Sequence, residues 1–344
     1  MFSIYTTMSK QDSTISDKDY KPIIIEALDT LRKKDVAEKR PFQARAYKKV
    51  LEQLAALTIP VRDISDLTGI EGVGDKMRAK FDEILKTGSL AAATRAKEAF
   101  PIELYDTLQK IYGVGPVKAK DLVEKHNVAN IEDLRKKVTE NPKILNVKQI
   151  IGLRYYEDIN ERIHRSEMEE HEKILMTALP KSLQGIVVGS FRRGASTSGD
   201  IDMLITGNEN VCTKEFVKYI NILKKQGYIS DILAEGDKKC LAVAKLPGKK
   251  TGYRRLDLLV TPPQEYAYAI LYFTGSAAFN VAMRKYALTK GYSLNEHILT
   301  KLPGFADNAD IPYMNNEKDI FTFLGLQYVE PNKRVDTTNL IVMI

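Results

Sequence analysis

The side chains best placed to do chemistry are three aspartates. Asp200 and Asp202 stand two apart in S-G-D-I-D-M-L-I, at the start of an apolar run that reads as a strand. On a strand that spacing puts both carboxylates on one face and sends Ile201, Met203 and Ile205 to the other, buried one. Adjacent carboxylates repel unless a cation or a proton lies between them, and a hard divalent ion such as Mg2+ takes oxygen ligands. A third acid, Asp257, sits in R-R-L-D-L-L-V, a second strand-like run. Three carboxylates can hold two metal ions about 3.5–4 Å apart, one activating an attacking hydroxyl and one shared with a triphosphate. An isolated D-x-D pair is usually structural or solvent-facing. This one gains weight from Gly189-Ser190 upstream, from Gly199 directly before it, and from the later strand aspartate. Cys212 and Cys240 are the only cysteines, and His126, His164, His171 and His297 show no ligand spacing. A disulfide framework and a cysteine-rich zinc site are therefore excluded, which leaves carboxylates, lysines and backbone as the reactive groups.

A second chemistry is written twice. TGIEGVGDKMRAKFDEIL and QKIYGVGPVKAKDLVEKH form an internal repeat, with Gly72-Val73-Gly74 in one copy and Gly113-Val114-Gly115 in the other. A turn between two helices that must admit a phosphate needs glycines, which take unusual dihedrals and present no side-chain barrier. The following helix then aims its free N–H groups and positive dipole end at the phosphate. One such G-V-G would most simply be a packing turn; two, each followed by lysines, point to grip on a DNA backbone. They look like helix-hairpin-helix motifs, which read phosphates and carry no base information. In that motif a monovalent cation, Na+ or K+, often bridges hairpin carbonyls and a phosphate. By position the carbonyls would be those of Thr68, Ile70 and Val73, then Gln109, Ile111 and Val114. Lys76 and Lys80 follow the first hairpin at i and i+4 and share a helix face. A lysine beside another cation can serve as an amine nucleophile toward a carbonyl, or both can simply bind phosphate.

These groups need elements to position them. Of the 344 residues, 44% are hydrophobic and 28% charged, enough apolar surface for two or three packed domains and too much for dominant disorder. No window approaches the roughly eighteen apolar residues of a membrane helix. The start lacks a basic stretch followed by an apolar run, so no secretory signal is expected, and a reducing interior compartment is. Residues 21–165 carry 28 basic and 22 acidic side chains, most of the chain's net +7, which suits a polyanionic partner or a solvated helical surface. Residues 1–21 are polar and unpatterned and read as a mobile tail. From Pro22 to about Glu161 apolar residues recur at helical steps; strand-like runs follow only later, in GIVVGS, GDIDMLIT, CLAVAKL and RRLDLLV. Helical signal returns in EYAYAILYFTGSAAFNVAMRKYALTKG. All-helical first and mixed afterwards implies at least two domains, with a seam near residues 155–175.

G-S, then D-x-D, then a distal D resembles the nucleotidyltransferase superfamily. GSFRRGASTSGDIDMLIT, RRLDLLV and YFTGSAAFNVAMRKYALTKGYSLNE, with the hairpin repeats, resemble the family X DNA polymerases from about residue 22 to the C-terminus, with the polymerase beta pattern the nearest. The fold this implies is multidomain, α followed by α/β. A helical lyase domain (22–96) and a helical DNA-binding subdomain (97–160) would precede a palm with a small, mainly antiparallel sheet (161–265) and a nucleotide-selecting α+β subdomain (266–344). The resemblance makes Asp200, Asp202 and Asp257 ligands of two Mg2+ ions, with Mn2+ as substitute, and brings Asp257 near the primer 3′-hydroxyl. It assigns the triphosphate to Ser190, Arg193 and the backbone of Gly199. Tyr272, Phe273 and Gly275 become the wall beside the sugar, Asn280 a contact to the incoming base, and Arg284 a contact to the template. It makes Lys80 the Schiff-base nucleophile of a 5′-deoxyribose-phosphate lyase, with Lys76 on the 5′-phosphate. The implied substrates are gapped or nicked duplex DNA with a 5′-phosphate and deoxynucleoside triphosphates. A monomer is expected, with room for a repair ligase or endonuclease as partner.

The chain departs from that pattern in places. Ile150 stands where an arginine reaching toward the γ-phosphate is expected. Leu259 replaces an arginine that pairs with a catalytic carboxylate in the open state, so closing against a smaller electrostatic barrier is expected. Ala277 replaces an aspartate beside the nascent base, and His297 a tyrosine. PFQARAYKK has Phe42 and Gln43 where an aromatic followed by arginine is usual. Weaker base selection follows as an expectation. Two other readings stand beside gap filling: template-independent tailing, for which residues 203–256 leave little room for the long extra palm loop, and a DNA-end binding module without activity. No phosphopeptide-binding extension is expected at the N-terminus. A nuclear location is expected if the host is cellular, and a viral origin stays open.

Overall fold

The computed structural model describes residues 18–99, 101–305, 310–335 and 339–343. The chain divides into two compact units, one ending at Ile144 and one beginning at Leu145. Most of the expected mobile tail lies outside the described residues. Its last part is anchored: Tyr20 N–H donates to the Val61 carbonyl at 2.7 Å, and Asp19 accepts the Val61 N–H at 2.8 Å. That corrects the expectation for residues 18–21.

The first unit is all helix: α1 (Lys21–Ala37), α2 (Pro41–Ala56), α3 (Asp75–Thr87), α4 (Ala91–Ala99), α5 (Ile102–Gln109), α6 (Pro116–Glu124) and α7 (Ile131–Glu140). α1, α2 and α6 carry proline in the first two positions, where a missing N–H costs nothing and the fixed φ already suits a helix. Leu28 of α1, Leu54 of α2 and Phe81 and Ile84 of α3 are fully buried in one core. Each such side chain contributes roughly 1.5–3 kcal/mol of burial free energy. That core fixes α3 against α1 and α2.

The second unit begins with α8 (Val147–Arg154) and α9 (Tyr156–Asn160), then β1 (Ile163–His164), α10 (Arg165–Ala178), β2 (Leu183–Val187), α11 (Gly189–Arg192), β3 (Thr197–Ser198) and β4 (Ile201–Gly207). It continues with α12 (Glu209–Lys225), β5 (Ile229–Gly236), β6 (Lys239–Ala244) and β7 (Arg254–Val260). The unit boundary precedes the change from helix to strand because α8 packs on β5, where Tyr155 just beyond it donates its hydroxyl to Asp231 at 2.5 Å. The main sheet has the order β2-β4-β7-β6-β5; only the β4–β7 pair is parallel, so the sheet is mainly antiparallel. One face is the core, with Ile201, Met203, Ile205, Leu256 and Leu258 at 0% exposure; the other carries the acids of the same strands beside an apolar cluster of Val188, Leu204 and Ala269. α13 (Pro263–Thr274), α14 (Ala277–Thr289), β8 (Tyr292–Leu294), β9 (Leu299–Lys301) and α15 (Glu317–Phe323) form a second core around Phe279 and Phe321.

Candidate functional site

Asp202 on β4 and Asp257 on β7 are direct register partners across the parallel pair, so the sheet itself sets their carboxylates side by side. Asp200 precedes β4 on the same face. One carboxylate oxygen from each of the three lies within 4.8 Å of the others. Burial, then the charge of Asp257, lifts the Asp202 carboxyl to about 6, while Arg193 pulls it back. Asp257 is also raised, chiefly by burial, and its Oδ1 is buried without a hydrogen-bond partner. Three crowded acids, one orphaned oxygen and an all-oxygen donor set fit a hard divalent cation such as Mg2+.

Leu259 brings no charge to the triad and packs beside Val188 and Leu204. The pairing expected to be lost with it is made from the other direction. Arg255, two residues before Asp257 on the same strand face, forms an ion pair with Asp200, and its Nε stands 3.8 Å from Asp257 Oδ1. In the sequence only Leu259, two residues beyond the aspartate, was weighed; Arg255, two residues before it, carries the same facial logic and could have been found.

Gly189 explains why the Gly-Ser pair matters. Its φ is +62°, and a Cβ there would stand 2.7 Å from Asp202 Oδ2, so any larger residue would be strained in the turn and would push the carboxylate aside. The turn delivers Ser190, whose hydroxyl donates to Ser198 Oγ at 3.0 Å, directly before Gly199. Arg193 donates from Nη1 to the Thr274 carbonyl at 2.6 Å. Arg162 was missed in the sequence. Its Nε and Nη2 are anchored on Thr197 at 3.1 and 2.7 Å, and its Nη1 lies 3.1 Å from the position a Gly199 Cβ would take. That guanidinium puts a positive charge at the Gly199 backbone, while Ile150 offers none.

Tyr272 and Phe273 end α13 edge to face, with ring centroids 5.1 Å apart. Phe273 packs on the sheet cluster of Val188 and Leu204, the core role that its type alone suggests. Gly275, at φ +69°, turns the chain by a cis peptide into Ser276, which caps α14 by accepting the Phe279 N–H. Asn280 donates Nδ2 to the Tyr272 carbonyl at 2.7 Å, and Arg284 lies over the Tyr272 ring while bonding Glu296 at 3.1 Å. Tyr272, Asn280 and Arg284 line one small pocket. His297 pairs with Glu265 at 2.6 Å, and Ala277 is exposed.

In the first unit, Gly72 and Gly113 hold φ of +89° and +80°, the left-handed region that glycine tolerates. Gly74 and Gly115 have ordinary dihedrals and start α3 and α6, and a Cβ on either would meet nothing within 4 Å. The first glycine of each pair therefore serves the turn and the second leaves open space before the helix. The Ile111 carbonyl accepts the Val114 N–H at 3.0 Å. Lys76 and Lys80 lie one turn apart on α3, with Lys80 Nζ donating to the Lys76 carbonyl at 3.0 Å. They line a groove of about 420 Å³ with Gln43, Tyr47, Gly72 and Gly74. Phe42 beside it is 79% exposed. Tyr47, unnoticed in the sequence, has its phenol raised by burial and by Asp35, whose own carboxyl is raised by burial against the pull of Arg40 and Lys80.

Known families tile most of the chain. Residues 19–90 match a helix-hairpin-helix domain, 106–160 the fingers domain of DNA polymerase lambda, 162–263 the DNA polymerase beta palm and 269–335 the DNA polymerase beta thumb. The chain is 34% identical over 339 residues to DNA polymerase lambda of Rattus norvegicus, covering 94% of this chain and 58% of that one. It is 28% identical over 310 residues to DNA polymerase lambda of Arabidopsis thaliana, covering 84% and 57%. With DNA nucleotidylexotransferase of Xenopus laevis it shares 27% over 330 residues, covering 84% and 63%. The chain thus spans about three fifths of the length of these curated relatives. With hairpin, fingers, palm and thumb matched in order, and three acids gathered on the palm sheet, the chain belongs to the family X DNA polymerases.

Proposed function

We propose that the protein is a DNA-directed DNA polymerase that fills short gaps in base excision repair. It adds a deoxynucleotide to a primer 3′-hydroxyl with release of pyrophosphate. The observation that carries the reading is the convergence of Asp200, Asp202 and Asp257 on one sheet face. When bound there, a pair of Mg2+ ions supplies charge neutralisation and Lewis acidity. The chain's own groups position the reactants: Ser190, Arg193, the Gly199 backbone and Arg162 hold the triphosphate, and Asp257 takes the proton of the 3′-hydroxyl. Tyr272 and Gly275 crowd the sugar edge, Asn280 meets the incoming base and Arg284 the template once it leaves Glu296. Template dependence is favoured over tailing by the short palm connections: β5 and β6 are joined by Asp237 and Lys238 alone, and β6 and β7 by residues 245–253.

The first unit would hold the other side of the gap. Gly72, Gly74, Gly113 and Gly115 let backbone N–H groups approach phosphates, with Na+ or K+ on the carbonyls of Thr68, Ile70 and Val73, and of Gln109, Ile111 and Val114. Lys76 grips a 5′-phosphate. The Lys80 amine adds to C1′ of the ring-opened 5′-deoxyribose phosphate and loses water to form a Schiff base; β-elimination then breaks the C3′–O bond and leaves a 5′-phosphate on the DNA. The domain limits at about residues 96, 160 and 265, a monomeric state and a nuclear site of action belong to the same reading. Among the described residues no helix is long and apolar enough to cross a membrane. The test is a one-nucleotide gapped duplex with a 5′-phosphate, offered each deoxynucleoside triphosphate in turn. Templated insertion by the wild type and none by Asp257→Ala, with DNA binding kept, is the expected result. Untemplated addition, or extension by Asp257→Ala, overturns the reading.

A further inference from the structure

We propose that Gln53 is a positioning residue of the first hairpin. Its side-chain amide sets the direction of the Ile70 carbonyl, and with it the affinity of that turn for a monovalent cation and a DNA phosphate. The inference rests on the hairpin reading above. Gln53 lies on α2, outside the hairpin. Its Nε2 donates to the Lys49 carbonyl and to the Glu71 carbonyl, both at 2.9 Å, and its Oε1 accepts the Glu71 N–H at 2.8 Å. Two carbonyls require the amine end and one N–H requires the oxygen, so the amide has a single orientation and no spare donor.

The consequence follows from peptide geometry. Among the described residues only Gly275–Ser276 is cis, so the Ile70–Glu71 peptide is trans. In a planar trans peptide the N–H and the C=O point in opposite directions. Drawing the Glu71 N–H onto Gln53 therefore turns the Ile70 carbonyl away from α2. Gly72, at φ +89°, completes the turn directly afterwards. The ion pair from Lys49 Nζ to the Glu71 carboxylate at 2.8 Å is a further tie, but both side chains are more than half exposed, so it is worth little. The second hairpin differs: its Ile111 carbonyl accepts the Val114 N–H, which occupies one of two lone pairs. The first hairpin is thus preset by a side chain, and a preset site spends less of its binding free energy on ordering.

The test uses the full chain with Gln53→Met, which keeps the length of the side chain and removes all three hydrogen bonds. Gln53 is only half-buried, and Val50 and Leu54 keep α2 in its core, so the variant retains the fold; thermal melting checks this. Binding to a 5′-phosphorylated one-nucleotide gapped duplex is titrated with K+ at constant ionic strength, tetramethylammonium making up the balance. The expected result is an increase of about tenfold in the K+ concentration for half-maximal binding, with equal binding in tetramethylammonium alone. At saturating DNA kcat is unchanged while the KM for DNA rises. A K+-dependent wild type whose midpoint Gln53→Met reproduces overturns the role of Gln53 alone. Wild-type binding without any K+ dependence overturns the cation reading of the hairpin, and this inference with it.

Discussion

Replacing Asp202 with asparagine is expected to stabilise the metal-free protein while ending nucleotidyl transfer. Register places Asp202 opposite Asp257, and burial together with that neighbouring charge lifts its carboxyl to about 6 from an ordinary 3.8. Because the folded pKa lies above the unfolded one, the folded protein binds more protons between the two values. The favourable contribution is complete below 3.8 and is lost as pH rises through about 6. That rise, burial first and the Asp257 charge second, corresponds to at most about 3 kcal/mol. At pH 7.5 in EDTA, Asp202→Asn is expected to exceed the wild type by about 1–3 kcal/mol, with the gap closing toward pH 4. Mg2+ stabilises the wild type in proportion to its occupancy and leaves the variant behind. Urea unfolding at four pH values, with EDTA or Mg2+, measures both effects. A variant less stable than wild type at pH 7.5 in EDTA, or a difference that ignores pH, refutes the reasoning.

Arg162→Ala is expected to raise the KM for the nucleotide about tenfold with kcat changed far less, since one charge-assisted contact to a phosphate is lost; steady-state kinetics on gapped DNA decide it. Lys80→Ala should fail to form a borohydride-trapped adduct with a 5′-deoxyribose-phosphate end while filling gaps normally, and cross-linking at wild-type level would move the nucleophile elsewhere. His171, fully buried with Nδ1 on the Tyr228 hydroxyl at 2.8 Å, is held neutral down to about 4 by burial, against the pull of Glu167. Its unfolded form protonates first, so its share of stability is lost as pH falls from about 6.5 to about 4, by up to roughly 3 kcal/mol. His171→Gln should flatten that fall in urea midpoints, and an unchanged pH slope would count against it.

The carboxylate face was legible because its logic is local. A two-residue step on a strand fixes a face, so Asp200 and Asp202 could be paired before any fold was known, and the burial of Ile201, Met203 and Ile205 agrees. The Gly-Ser pair was legible as a motif, but its reason was not: only the register of β2 and β4 brings Gly189 against Asp202. Strand β5 escaped notice because two register shifts, at Ile229/Asp231 and Ile232/Ala234, break the alternation that marks a half-buried strand. Arg162 escaped for a different cause. It reaches Gly199 by antiparallel pairing of β1 with β3, a contact between residues that share no periodicity. Gln53 belongs to the same class, eighteen positions from the residue it orients.

Beside the apolar packing of Ala269 and Phe273 on Val188 and Leu204, the C-terminal part of the second unit is tied to α11 by ions. Glu317 on α15 is 5% exposed and accepts from Arg192 at 2.7 Å, from the fully buried Arg334 at 3.0 Å and from the Tyr328 hydroxyl at 2.7 Å. Against the cost of burial, those donors hold its carboxyl down at about 2, so it stays charged at any working pH. Arg192 also donates to Thr274 Oγ1 at 2.6 Å, and Arg193, the next residue, to the Thr274 carbonyl. The turn at Gly275 and the turn after Ser190 are therefore bound through the same two arginines. An apolar contact would tolerate sliding; forked guanidinium bonds to a carboxylate and a carbonyl do not. Removing one partner would strand a buried charge at a cost of about 3–5 kcal/mol. The turn at Gly275 and the turn after Ser190 consequently keep one spacing relative to each other, and on the proposed reading that spacing sets how an incoming nucleotide would meet the three acids.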